Sequence, residues 1–419
     1  MIILMKIMPP PEEKLNPFPF YASMRLDHPV TYDDKNRAWG IFRYKDIQNI
    51  LINHTDFSSD FSNWSEQRYG SQHQSSSRQT MMTTDPPHHK RLRGSVSSSF
   101  SQIRISKLEH RIEGIANELL NKVIEKGEMD MIKDFAYPLP ATVIAELLGI
   151  PPRDQDLFKR WADQLLRIIG SIFTKDVSPG EILQYHNEMD TYFAAIIDEK
   201  RKKPGDDLLG HLIAMMMTDT SSGIQSNVGD DTRLTEQEVT GFGFFLLQTG
   251  HITTVNLIGN TILSLLENPQ EFEKVQKDKT LIPQVIEETL RYRSPVQVPG
   301  SRFATKDLEI NGQKIRKGDM IMTFIGSANR DEAVFKDPDK FDITRQNSKE
   351  HMAFGAGVHF CLGANLAVLE GKVALKVILK RLDDLELAVG DKHQIRPLPI
   401  PFFYGLANLP LRFRSNVIT

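Results

Sequence analysis

Beyond residue 85 apolar residues recur with the period of an amphipathic helix, whereas Val30 to Phe42 alternates apolar and polar positions as a hairpin does. Three helices matter most. The first is expected to begin at Asp85-Pro86-Pro87, an N-cap residue followed by prolines that a first turn tolerates. The second begins at Thr235, where Thr-Glu-Gln-Glu forms a capping box with Glu238 reaching back. It is expected to run unbroken for about 30 residues to Asn268-Pro269, long enough to cross a domain. The third carries Glu287, Glu288 and Arg291, and the Pro- and Gly-punctuated stretch Pro295 to Gly318 behind it reads as short strands. Ser58 to Ser77 reads as a long mobile loop and Thr218 to Arg233 as a solvated connection. No internal repeat divides the chain. The pattern predicts a mainly α protein with small β-sheets, one unit over residues 1–419, with 1–15 as a loose leader.

Composition adds exclusions. A 40% hydrophobic share over 419 residues supplies a large core, and a formal charge of -3 gives no reason to expect nucleic acid as a partner. The chain has 1 cysteine, so no intramolecular disulfide can form and a reducing cytoplasm fits. Met1 to Met8 is apolar but is interrupted by Lys6 and stopped by Pro9, Pro10 and Pro11. That is far short of the roughly 20 apolar residues needed to span a bilayer, so no membrane anchor is expected.

The chemistry concentrates in Phe354-Gly355-Ala356-Gly357-Val358-His359-Phe360-Cys361-Leu362-Gly363. Two glycines ahead of the cysteine permit a tight turn that aims N–H groups at its sulfur. Leu362, Ala364, Leu366, Leu369 and Val373 then form an apolar helical stripe, which puts Cys361 at a helix N-terminus where an anion is favoured. Gly363 removes a side chain where a flat macrocycle could press on the helix. A buried structural cysteine is the ordinary alternative for any Cys near glycines. The spacing argues against it. The segment resembles the cysteine-ligand signature Phe-Gly-x-Gly-x-His-x-Cys-x-Gly of the cytochrome P-450 family at every fixed position.

That resemblance implies a P-450 fold with a long central oxygen-binding helix, and haem b with Cys361 as axial thiolate and iron ligand. It places Phe354, Gly355 and Gly363 around the cofactor. Glu288-Thr289-Leu290-Arg291 is similar to the family's Glu-x-x-Arg motif, and the segment from Asn329 to Arg345 to its partner, so Glu288, Arg291 and Arg345 are implied to be structural. Haem also carries two propionates, which need cationic donors. His89 and Arg93 lie four apart on one helix face, and they match the family's propionate-binding helix start. Arg302 and His351 are matched to two further propionate positions, and His88 competes with His89 for the register.

The stretch Gln248-Thr249-Gly250-His251-Ile252-Thr253-Thr254 resembles the family's oxygen-binding segment, (Ala/Gly)-Gly-x-(Asp/Glu)-Thr-Thr. Thr253 then takes the place of the hydroxyl that meets dioxygen and helps deliver protons. A mid-helix Gly250 costs about 1 kcal/mol, for which a local opening or close helix packing could each account. Ile252 stands where an acid is usual and cannot relay a proton. His251, which titrates near neutrality when free, or a water path could replace the acid. Otherwise proton delivery is poor and the enzyme leaks or consumes peroxide.

The resemblance makes the face bearing Phe245, Gln248, Thr249, Ile252 and Thr253 the roof above the iron, with Val296, Val298, Phe402 and Phe403 as further walls. A lipophilic substrate follows: a fatty acid, terpenoid, steroid or macrolide-like compound. One cysteine cannot hold an iron–sulfur cluster, so electrons are expected from a separate ferredoxin or flavodoxin with its reductase. The expected protein is a cytoplasmic, monomeric monooxygenase that inserts one atom of O2 into its substrate. A peroxide-using peroxygenase and a non-catalytic haem sensor are the alternatives. A Cys361/His359 hydrolase leaves the Glu288/Arg291/Arg345 and propionate sets unexplained.

Overall fold

A computed structural model describes residues 6–10, 13–60, 80–174, 177–203, 205–217, 234–388 and 394–416. Most of Ser58 to Ser77, and all of Thr218 to Arg233, therefore lie outside the described residues. Helices form the bulk of the molecule and small sheets sit at its edge. The strands are β1 (Val30–Asp33), β2 (Ala38–Ile41), β3 (Phe57–Ser58), β4 (Glu128–Asp130), β5 (Arg302–Ala304), β6 (Leu308–Ile310), β7 (Gln313–Ile315), β8 (Met320–Thr323), β9 (Leu382–Leu387) and β10 (Pro410–Ser415). The largest sheet has the order β1-β2-β8-β5-β3. Its β1–β2 hairpin pairs Val30 with Ile41, which is the alternation seen in the sequence. The expected short strands after Pro295 are β5, β6 and β7.

Six helices position the site: α1 (His88–Ser97), α2 (Pro138–Leu148), α3 (Glu236–Gly250), α4 (Ile252–Glu267), α5 (Ile282–Tyr292) and α6 (Ala364–Arg381). The capping box at Thr235 is formed in both directions, so local sequence sets where α3 starts. α4 is buried along nearly its whole length, Val255, Leu257, Ile258, Ile262 and Leu265 included, as a helix threading the core requires.

Three local expectations are corrected. The helix after Thr235 is not continuous: it breaks at His251, whose backbone lies at φ -96° and ψ -71°. Asp85 does not cap α1. The N-cap residue is Pro87, and the Asp85 carboxylate instead accepts from the Ser58 hydroxyl at 2.5 Å and the Ser59 N–H at 2.9 Å. The leader is not loose where it is described, because Ile7 and Met8 are buried beside Phe42 and Met322. Hydrophobic burial of Ile7 against Gly40 anchors it.

Candidate active site

The segment ahead of Cys361 is held by its backbone. Gly355 and Gly357 both take left-handed φ values, +71° and +69°, which a side chain would strain. At Gly357 a Cβ would also approach the Leu51 carbonyl oxygen to 2.6 Å, so this turn is clamped onto residues 51–52. The Gly355 N–H donates to Met352 O at 2.8 Å and the Cys361 N–H to Phe354 O at 2.9 Å, closing the loop on Phe354. Gly363 is the N-cap residue of α6, and a Cβ there would meet nothing within 4 Å. The open space on that side accords with a flat group lying against the turn.

Cys361 keeps an open side although protein atoms crowd its sulfur. Burial pushes its thiol above the ordinary value, and the Gly363 N–H, the Arg93 charge and the Ala364 N–H pull the other way. Those donors are the helix-start environment that favours a thiolate once a cation pays the desolvation.

Beside this turn two imidazoles and two arginines converge, with Asp85 as the carboxylate near them. The rings of His89 and His359 lie 4.3 Å apart, and the Nε2 atom of each is buried with no hydrogen-bond partner among the described residues. Arg302 is buried and, among the described residues, donates to the carbonyls of Gly300 at 3.1 Å and Ser301 at 3.4 Å. Burial lowers its pKa to about 10, with Asp85 acting in the opposite direction. Burial followed by the charges of Arg302, His89, Arg93 and His54 pushes His359 down to about 3. Unbonded buried imidazole nitrogens beside two arginine charges are costly unless an anion joins them. Two carboxylates of a dianionic ligand fit this cluster.

Of the residues the sequence singled out, His89, Arg93 and Arg302 are brought together in this cluster. The competing His88 is not, since it faces Glu238 at 3.3 Å beside Arg91. His351 is a correction. Its Nε2 lies 3.4 Å from the Glu287 carboxylate, close enough to pair charges though not aligned for a hydrogen bond, and its Nδ1 accepts from the Ala353 N–H at 3.2 Å. The residue that joins the cluster in its stead is His359. The signal for it was already in the signature, as the fixed histidine two positions before the cysteine.

The structural trio is assembled as expected. Arg291 donates Nε to Glu288 Oε2 at 2.8 Å and Nη2 to Glu288 Oε1 at 2.7 Å, with both side chains fully buried. Its remaining N–H groups reach the carbonyls of Asn329, Pro338 and Lys340. Arg345 Nε adds a contact to Glu288 Oε1 at 3.3 Å and binds the carbonyls of Lys336 and Asp337. α5 is thereby tied to the strand-poor segment that leads to Cys361.

At the break between α3 and α4, Thr253 Oγ1 donates to Thr249 O at 2.9 Å, and Thr249 Oγ1 donates to Phe245 O at 2.8 Å. Ile252 is buried in the main apolar core. His251 does not fit the role of a near-neutral relay. It is buried, its Nε2 donates to the Tyr137 carbonyl at 3.1 Å, and burial lowers its pKa to about 4. Gly250 is explained by packing, because a Cβ there would come within 2.7 Å of Ile144 Cδ1. Among the expected walls, Phe245 lines a small cleft with Met81, Leu92, Gly241 and Phe242. Val298 and Phe402 pack with Phe18 and Tyr404 in a separate core cluster. Val296 and Phe403 form a β-bridge.

The sequence profile described as Cytochrome P450 matches residues 32–406. The chain belongs to the cytochrome P450 family. Cytochrome P450 109 of Bacillus spizizenii is 38% identical over 407 residues, covering 96% of this chain and 93% of that protein. Cytochrome P450 monooxygenase PikC of Streptomyces venezuelae is 34% identical over 406 residues, covering 96% and 92%. Among solved structures, CYP109E1 from Bacillus megaterium in complex with testosterone superposes with a TM-score of 0.83 at 35% identity, covering 97% of this chain and 100% of the other. This P450 is a monooxygenase whose cofactor is haem, bound through a cysteine thiolate. Among the described residues no helix of the P450 is long and apolar enough to cross a membrane.

Proposed function

We propose that the Cys361 thiolate would hold the iron of haem and that His89, Arg93, Arg302 and His359 would hold its propionates. The observation that carries this reading is the buried pair of unbonded Nε2 atoms on His89 and His359, within reach of two arginine charges and beside the turn that presents Cys361. Haem bound there supplies the redox chemistry that activates dioxygen. One oxygen atom then enters a C–H bond or alkene of the substrate and the other leaves as water, with two electrons and two protons consumed. The Cys361 thiolate would hold the haem iron and supply it with electron density. Thr253 gives its own hydroxyl proton to Thr249 O and so leaves its oxygen free to accept a bond from the distal ligand or water. The buried Ile252 and Phe245 keep bulk water from that space.

The substrate in this reading is a lipophile of steroid size or an elongated acyl chain. The testosterone in the similar CYP109E1 structure supports the first. Electrons come from a separate ferredoxin or flavodoxin, since one cysteine cannot hold a cluster. The reduced protein under carbon monoxide should show a strongly red-shifted Soret band that is lost in Cys361→Ser; an unchanged band in that variant overturns the assignment. Titration with steroids and with fatty acids, followed by the spectral change on displacement of iron-bound water, identifies the class.

A second reading has its own support. Neither Ile252 nor the neutral His251 can relay a proton, which favours use or release of peroxide. Turnover with hydrogen peroxide alone, at a rate matching the electron-driven reaction, would establish it.

A further inference from the structure

We propose that α2 is the template for the break in the distal helix, and that His251 is a positioning residue whose imidazole fixes where the Thr253 hydroxyl stands. Two contacts, one from α2 and one from its N-cap residue Tyr137, fall on the two residues at the break. Ile144 fills the space where Gly250 lacks a side chain, and any Cβ there would be driven to 2.7 Å from Cδ1 and 3.1 Å from Cγ1. Seven residues earlier, the Tyr137 carbonyl accepts from His251 Nε2 at 3.1 Å, and the two rings meet edge to face at 4.4 Å and 88°. A carbonyl oxygen can only accept, so the bond requires the proton to be on Nε2.

Tyr137 is itself held. It directly follows the π-helical turn Met131–Ala136, and its hydroxyl donates to Asp163 at 2.6 Å. π-helical turns of this kind recur where a helix is diverted for function. The π turn presents a carbonyl of the residue that follows it sideways, to a buried imidazole on another helix.

The consequence reaches Thr253 through the backbone. α4 restarts by directing the Thr254 and Val255 N–H groups to the one His251 carbonyl, both at 3.1 Å. Thr249 sits in the last turn of α3, and its carbonyl is the acceptor of the Thr253 hydroxyl. Donor and acceptor therefore lie on opposite sides of the break, so the angle at His251 sets the position of the hydroxyl. A leucine would fill the same buried space with no imidazole to desolvate. The polar ring is thus kept for its bond to Tyr137.

This rests on reading Thr253 as the distal hydroxyl, and the test separates the two. In the holoenzyme, His251→Leu, His251→Gln, Gly250→Ala and Gly250→Ala/Ile144→Val are compared with Thr253→Ala. The readouts are the infrared stretch of bound carbon monoxide and the share of electrons lost as peroxide. His251→Leu and Gly250→Ala should shift the stretch and raise peroxide several-fold, towards the Thr253→Ala level, because misplacement by about 1 Å costs up to 100-fold in a positioned reaction. His251→Gln, which can still donate, and the Ile144→Val double variant should recover most of the difference. If His251→Leu keeps both the wild-type stretch and the wild-type coupling while Thr253→Ala leaks, the template is wrong. If Thr253→Ala couples normally, the reading of Thr253 fails instead. The 15N signals of His251 in the diamagnetic carbon monoxide complex should show a protonated Nε2 and a bare Nδ1; the opposite tautomer overturns the clamp without any turnover.

Discussion

His89 and His359 face one another across 4.3 Å with both Nε2 atoms buried and unbonded, one from α1 and one from the turn before Cys361. Two imidazoles in that relation attract neither each other nor the flanking arginines. Their arrangement is stabilising only with acceptors between them, which is what two propionates provide.

Loss of His359 should therefore weaken haem retention more than loss of His351. A charge-assisted hydrogen bond contributes about 1.5–3 kcal/mol, so His359→Ala is expected to release haem to apomyoglobin about 10- to 100-fold faster. His351→Ala should stay within about 2-fold of wild type, since it pairs with Glu287 away from the cluster. Equal rates for the two variants would return His351 to the propionates.

Arg291→Met should strip Glu288 of its bidentate partner inside a fully buried site. The expected loss is about 3–5 kcal/mol of unfolding free energy, read by denaturant titration, together with poor haem incorporation. Arg345→Met should cost less, because its bond to Glu288 is longer and most of its partners are carbonyls near the surface.

Ile252→Glu tests whether the missing acid limits proton delivery. The position is buried among apolar side chains, so the variant should be about 2–4 kcal/mol less stable. Peroxide released per electron should nevertheless fall. Unchanged leakage would show that the acid's absence is not what sets coupling.

Glu370 offers a pH test. It lies on α6, fully buried, with neither oxygen hydrogen-bonded among the described residues, and burial raises its pKa well above 4.5. The folded state then keeps a proton that the unfolded state gives up as pH rises through 4.5. Above that pH the wild type should lose stability relative to Glu370→Gln at about 1.4 kcal/mol per pH unit, until the folded carboxyl also ionises. Parallel stability curves for the two proteins would contradict this.

The signature around Cys361, the Glu288–Arg291 pair and the α3 capping box were legible in the chain because each is a local pattern. A turn, an i,i+3 pair and a cap need only neighbouring residues to form. The hairpin at Val30–Ile41 was readable for the same reason.

What the chain could not decide were relations across long separations. Whether His351 stands in the cluster with His89 depends on Glu287 claiming it, a contact between α5 and a distant turn. Whether His251 relays protons depends on its burial against Tyr137, 114 positions earlier, since desolvation and not residue type sets an imidazole's pKa. The single helix expected from Thr235 to Asn268 follows from periodicity, which carries no information about Ile144 and Tyr137 pressing on its middle. Local sequence determined the elements and the thiolate turn; the packing of α2 against the distal helix decided its geometry, because desolvation and steric exclusion exist only once the chain has folded.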